Sequence, residues 1–180
     1  ELATNPDFIT SWELIDSIKK PLIAAVDGIA FGGGNELLLM CDIILASKEA
    51  KFSQPEINLG LICGGGGTQR LTTKIGKNWA MEMCLTGNIV TAEEAKNIGL
   101  VNHIYDASKL IKHALDLANE ISLKPIDAII STKKLIKDAS KVRKDGLTAE
   151  RTKFMQLLKT DNGIEGMNAF KERRKPQFKN

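Results

Sequence analysis

Residues 22–26, Leu22-Ile23-Ala24-Ala25-Val26, form a continuous apolar run closed by Pro21 on one side and Asp27-Gly28 on the other. A run this short and this punctuated reads as a strand buried on both faces. Asp42 to Ala46 repeats the pattern, and Lys51-Phe52-Ser53 suggests a further brief strand before Pro55. Helical spacing stands around these runs. Trp12, Leu14, Ile15 and Ile18 predict a helix over 1–20 that Pro21 ends, and Glu36 to Cys41 and Asn78 to Leu85 predict two more. Thr91-Ala92-Glu93-Glu94 is a capping box, with a helix running to Gly99 and a strand candidate over Leu100 to Ile104. Strands alternating with helices imply α/β layers with parallel pairing.

Beyond residue 106 the pattern changes. Segments 107–122, 125–140, 147–159 and 162–173 each carry helical apolar spacing, with lysine frequent between them. Residues 106–180 therefore read as a helical region, or as an arm that packs on a partner subunit. The 180 residues are 43% apolar and 26% charged, which suits a folded domain with a real core. A net charge of +3 is too small to argue for nucleic acid by itself. No apolar run approaches the ~20 residues that span a bilayer. Cys41, Cys63 and Cys84 are widely spaced and form no CxxC pair, so zinc and redox motifs fail and reduced thiols are expected. His103 and His113 read as solvated surface side chains.

Two glycine runs precede predicted helices. Gly32-Gly33-Gly34-Asn35-Glu36 is answered twenty residues later by Gln54-Pro55-Glu56, and Gly64-Gly65-Gly66-Gly67 opens into Thr68-Gln69-Arg70-Leu71. Neither run fits GxGxxG, and Gly76-Lys77-Asn78 lacks the rest of a phosphate loop. Glycine runs serve as tight turns or as cradles for a ligand; the residues alone leave both open here. Glu36 is followed by Leu37, Leu38, Leu39 and Met40. Its carboxylate either complements a helix N-terminus or works as an acid/base group whose pKa is moved by apolar surroundings. Glu56 is either a loop carboxylate beside a proline or the partner of Glu36. The cluster Lys133, Lys134, Lys137, Lys141, Arg143 and Lys144 is interrupted by Asp138 and Asp145 and lacks aromatic residues for base stacking, so it reads as a solvated helix face. The basic end around Lys175 and Phe178 is a frayed tail or a contact for a phosphorylated, adenine-bearing ligand.

Taken in order, Lys20 to Leu37, Cys41-Asp42-Ile43-Ile44, Phe52 to Glu56, Gly66 to Leu71, Leu85-Thr86-Gly87, Ala92 to Lys96, Gly99-Leu100-Val101 and Glu165 to Phe170 resemble the crotonase superfamily, and within it the enoyl-CoA hydratases. The likeness covers nearly the whole chain, and is strongest to short-chain, mitochondrial-type members. It implies a crotonase-type ββα spiral core over 1–105 and a C-terminal helical oligomerisation region over 106–180. It implies an acyl-CoA thioester whose oxygen is held by two backbone N–H groups, one of them that of Gly33. Glu36 and Glu56 match the two catalytic glutamates, and Gly64 matches a glycine that helps position the reacting water. Ala30, Phe31, Gly32 and Pro55 fall beside these positions, and Lys175 and Phe178 are candidates for the coenzyme A moiety. Water would add across the C2–C3 bond of a short 2-trans-enoyl-CoA in fatty-acid β-oxidation, without metal or redox cofactor. Trimers or dimers of trimers are implied, with a mitochondrial matrix location in a eukaryote and a cytoplasmic one otherwise. The departures are Cys63 where a proline is usual, Gly65 where a larger residue is usual, and the lack of the family's N-terminal third, which carries the second oxyanion N–H. Double-bond isomerisation on the same fold is the nearest alternative; a non-catalytic RNA-binding or scaffold subunit is an alternative of another class.

Overall fold

The computed structural model describes residues 6–139 and 144–178. Its elements run α1 (Pro6–Asp16), β1 (Ile23–Val26), β2 (Ile29–Phe31), α2 (Gly33–Leu38), β3 (Ile43–Ser47), β4 (Lys51–Ser53), a 3₁₀ turn (Pro55–Leu59), α3 (Gly67–Ile75), α4 (Lys77–Thr86), β5 (Val90–Thr91), α5 (Ala92–Asn97), β6 (His103–Tyr105), α6 (Ala107–Ser122), α7 (Ile126–Ala139), α8 (Lys144–Leu157) and α9 (Asp161–Lys171). The described strands form two three-stranded sheets, ordered β1-β3-β6 and β2-β4-β5. All pairs are parallel except β4 with β5. Parallel neighbours need helical crossovers, which explains why helices cover the layers.

The core lies between these layers. Ile44, Phe52, Leu71 and Leu100 are fully enclosed and belong to one cluster drawn from residues 30–101. The Thr91 capping box forms as expected, Thr91 Oγ1 accepting from Glu94 N while Thr91 N donates to Glu94 Oε2 at 2.8 Å. No helix among the described residues is long and apolar enough to cross a membrane.

Several expectations are corrected. Of the helix expected over 1–20, residues 1–5 lie outside the described residues and the remainder ends at Asp16; Trp12 is buried, while Leu14 and Ile18 are exposed. β1 is only half-buried, because it pairs with β3 alone and forms an edge of its sheet. α2 starts within the glycines, at Gly33, since Gly32 adopts the positive φ of 51° that glycine tolerates. The strand expected over 100–104 lies at His103–Tyr105; Leu100 and Val101 are buried ahead of it, and Asn102 clamps Ile44 through its own N–H and its side chain. His113 is not simply solvated: its ring stacks on Tyr105 with centroids 4.0 Å apart. Lys133 is no solvated lysine either, being almost enclosed and paired with Asp42 at 2.7 Å, and Lys137 pairs with Asp16. Lys141 and Arg143 lie outside the described residues.

Candidate active site

β2 and β4 run side by side, Phe31 level with Ser53, and Gly32 N–H donates to Ser53 O. The chain therefore leaves the carboxyl ends of two adjacent parallel strands at one place, where ligands of such sheets bind. One exit carries Gly32 to Glu36, and the other carries Gln54 to Glu56. The two exits touch: a Cβ on Gly32 would stand 3.3 Å from Glu56 Oε1. The buried side chains of Asn35 and Gln54 meet at 3.1 Å beneath them. Ala30 is buried, and Phe31, Gly32 and Pro55 are half-buried around the same point.

Glu36 is 4% exposed. Its Oε1 accepts from Gly65 N and Gly67 N, each at 2.8 Å. The second glycine run thus lays its N–H groups on the carboxylate that follows the first. Burial, and next the charge of Glu56, raise the Glu36 carboxyl to about 7, against the pull of the Gly67 and Gly65 N–H groups toward the charged form; Glu150 adds to the rise. Burial also raises Glu56, opposed by its own backbone N–H and reinforced by Glu150. Glu56 Oε2 is buried without a hydrogen-bond partner among the described residues. Oxygens of Glu36 and Glu56 lie within 4.8 Å of each other, so the two carboxyls titrate as a coupled pair. Burial makes Glu36 the harder to ionise, whereas its two donors make it the better carboxylate once charged.

One member of this cluster has no sequence signature of its own. Glu150, on α8, is 5% exposed and lies beside the same glycine loop. Its Oε1 accepts from Gly66 N at 2.6 Å, and its Oε2 accepts from Thr68 N at 2.7 Å and from the Thr68 hydroxyl. Successive N–H groups of the loop therefore alternate, 65 and 67 to Glu36, 66 and 68 to Glu150. Phe154, one turn after Glu150, packs on Gly64, where a Cβ would come within 2.8 Å of its ring. Arg70 closes the loop from its other side by donating to Gly65 O at 2.7 Å. Burial raises the Glu150 carboxyl, while Thr68, Gly66 and Arg70 favour its charged form. A carboxylate and an aromatic ring four apart on a predicted helix were the only available signal.

The remaining sequence candidates fall into two groups. Gly33 is the first residue of α2, so its N–H has no acceptor within the helix, and nothing lies within 4 Å of where its Cβ would be. Gly64 stands at the mouth of the second loop but its N–H is not among those that reach Glu36 or Glu150. Lys175 and Phe178 lie elsewhere, on a tail that turns back on α9 through Gln177 N and Glu165 Oε1, 2.8 Å apart. Neither hydrogen-bonds to the glutamate cluster.

A metal fits this site poorly. Glu36, Glu56 and Cys63 group ligand atoms within 4.8 Å. Glu36 Oε1 is already engaged, however, and the hydrogen bond to Cys84, burial and the two carboxylates push the Cys63 thiol up, away from the thiolate a metal needs.

A sequence profile described as "Enoyl-CoA hydratase/isomerase" matches residues 2–180. The chain belongs to the enoyl-CoA hydratase/isomerase family. It is 44% identical over 174 residues to a "Probable enoyl-CoA hydratase" of Rhizobium meliloti (strain 1021), covering 96% of this chain and 68% of that protein. It is 44% identical over 173 residues to an "Enoyl-CoA hydratase, mitochondrial" of Pongo abelii, covering 96% of this chain and 60% of that protein. The chain thus spans between three fifths and about two thirds of these relatives' lengths. Among solved structures, an enoyl-CoA hydratase/isomerase from Pseudoalteromonas atlantica superposes with a TM-score of 0.90 at 29% identity, over 97% of this chain and 71% of that one. The α/β architecture with a helical C-terminal region is therefore the crotonase fold of this family.

Proposed function

We propose that the whole protein hydrates a short 2-trans-enoyl-CoA, as a step of fatty-acid β-oxidation. One observation carries this reading: the carboxyls of buried Glu36 and half-buried Glu56 have oxygens within 4.8 Å of each other, both with raised pKa, and Glu36 follows Gly33, whose N–H opens α2 without an acceptor in the helix. Two acid/base groups around one small space suit the addition of one water. Glu36, held by Gly65 and Gly67, takes a proton from the water as its oxygen bonds to C3. Glu56 gives its proton to C2. The electron pair of the double bond passes through an enolate whose oxygen lies at the Gly33 N–H, a donor of a kind worth about 3 kcal/mol to the transition state. The proton on Glu36 then passes to the Glu56 carboxylate, which restores the starting state, and no metal or redox cofactor takes part. Gly64 lines the path of the water, Ala30, Phe31, Gly32 and Pro55 border the thioester, and Lys175 and Phe178 meet the coenzyme A moiety. Trimeric or hexameric assembly and a matrix location in a eukaryote, or the cytoplasm otherwise, belong to the same reading.

Full-length protein is expected to bleach the enoyl-thioester absorbance of crotonyl-CoA; no bleaching sinks the proposal. Glu36→Gln and Glu56→Gln should each lower kcat by about 10²–10⁴ while leaving KM nearly unchanged. Retained turnover in one of them would support isomerisation, which can use a single carboxylate.

A further inference from the structure

Cys63 sits one residue before Gly64 and is 2% exposed. The segment over 61–66 brings its Sγ to 3.9 Å from Sγ of Cys84, a half-buried residue near the end of α4. Cys41 takes no part; its thiol faces Leu37 O at 3.8 Å. Cys63 Sγ also lies within 4.8 Å of an oxygen of Glu36 and one of Glu56, and the end of the Gln54 carboxamide is 3.0 Å from it. The pair therefore forms one wall of the glutamate site. A disulfide needs its sulfurs about 2.05 Å apart, so closure asks each thiol for a displacement of roughly 1 Å.

We propose that Cys63 and Cys84 form a reversible thiol–disulfide switch, closed by hydroperoxides, in the wall of the carboxylate site. This goes beyond the hydratase reading and does not depend on it. Cys84 is the more accessible sulfur, and its contact with Cys63 pulls its pKa down against burial and the nearby carboxylates, so it is the sulfur that attacks the peroxide. The Cys84 sulfur takes one peroxide oxygen as a sulfenic acid, and the other oxygen leaves as water from hydrogen peroxide, or as the alcohol from an organic hydroperoxide. Cys63 sulfur then displaces the sulfenic oxygen, which leaves as water with the Cys63 proton. Two thiols are oxidised to one disulfide, and one hydroperoxide is reduced. Cys63 cannot move alone. A Cβ on Gly67 would stand 2.8 Å from both Cβ and Sγ of Cys63, so the thiol is packed against the loop whose N–H groups hold Glu36. Closing the disulfide pulls on those donors.

The test treats reduced full-length protein with hydrogen peroxide, caps free thiols by alkylation and maps peptides by mass. The expected product is a 63–84 cross-link, lighter by two hydrogen atoms, that dithiothreitol reverses while Cys41 stays alkylated. Amide hydrogen exchange over 64–68 should quicken about tenfold in the oxidised form, and Cys84→Ser should abolish both changes. Free Cys63 and Cys84 after peroxide consumption, a cross-link through Cys41, or unaltered exchange in the cross-linked protein would each overturn the switch. All of these readouts hold whether or not crotonyl-CoA is hydrated.

Discussion

Among the described residues, the connected apolar core is drawn entirely from between Ala30 and Val101, whereas the helices from Ala107 to Lys171 add only Leu110 and Ala169 to the enclosed apolar side chains. The first region holds itself together by burial. The second is held at points. Lys133 grips Asp42, Glu150 takes the Gly66 and Thr68 N–H groups, and Gly60 and Gly166 let the 3₁₀ turn and α9 approach backbone to backbone. Leu115, Leu135 and Phe170 meanwhile remain exposed. The contrast separates two jobs. The layered region makes the strands that deliver Glu36 and Glu56, and the helical region sets the loop that holds Glu36.

The largest expected effect tests that division by burial. Leu71→Ala removes a fully enclosed side chain and should cost about 2–5 kcal/mol in urea unfolding. Leu115→Ala, at 59% exposure, should fall within about 0.5 kcal/mol. A cost for Leu115→Ala approaching that of Leu71→Ala would show that the assembled protein covers this face of α6, and the contrast would then belong to the chain alone.

Next in size is the junction between the regions. Glu150→Ala leaves the N–H groups of Gly66 and Thr68 without their acceptor, at roughly 1–3 kcal/mol for each buried donor. Part of this is offset by removing a buried carboxyl, so a net loss of about 2 kcal/mol is expected. Removing the Glu150 charge should also move the acid limb of the pH–rate profile downward, since that charge helps raise Glu36 and Glu56. A stability loss with an unmoved profile would make Glu150 a strut and nothing more.

The same division explains what could be read from the sequence. Local signals carried far. The runs around 43–47 and 51–53 are strands, the Thr91–Glu94 box caps α5, and α6 occupies the 107–122 span its apolar spacing predicts. Glu36, Glu56 and both glycine loops were visible as residues able to do chemistry. What escaped depended on distant partners. β5 is two residues long and exists only because β4 lies beside it. Glu150 is 82 residues from Thr68, and no periodicity ties a helix to a loop across that span. The glycines that hold Glu36 are 65 and 67, a selection made by loop shape and not by composition.

A smaller, pH-dependent effect lies wholly inside the first region. Glu36 is raised to about 7 in the fold from about 4.5, so the folded state holds its proton longer than the unfolded chain. The stability this group confers is intact below about 4.5 and is lost as pH rises through about 7. The full difference corresponds to about 3 kcal/mol, and Gln should forfeit part of it by accepting weaker hydrogen bonds from Gly65 and Gly67. Glu36→Gln is therefore expected to be about 2 kcal/mol more stable than the parent at pH 8 and about 1 kcal/mol less stable near pH 4. Urea unfolding at the two pH values checks this. An advantage at pH 4 equal to that at pH 8 would show that packing, and not ionisation, separates the two proteins.

The smallest effect lies in the second region and turns on sign. In an ordinary helix interior Gly→Ala gains up to about 1 kcal/mol. Gly166 sits inside α9, where a Cβ would run into the carbonyl oxygen of Leu59 on the 3₁₀ turn that carries Glu56. Overpacking of this kind costs about 1–3 kcal/mol, so Gly166→Ala should come out destabilising by about 1 kcal/mol. The obstacle is backbone, which cannot rotate away as a side chain would. Because Leu59 belongs to the Glu56 turn, the substitution should also lower kcat more than a solvent-facing change on the same helix, such as Phe170→Ala. A stabilising Gly166→Ala would mean that α9 rides loosely on the turn, and that the helical region reaches the site through Glu150 and Phe154 only.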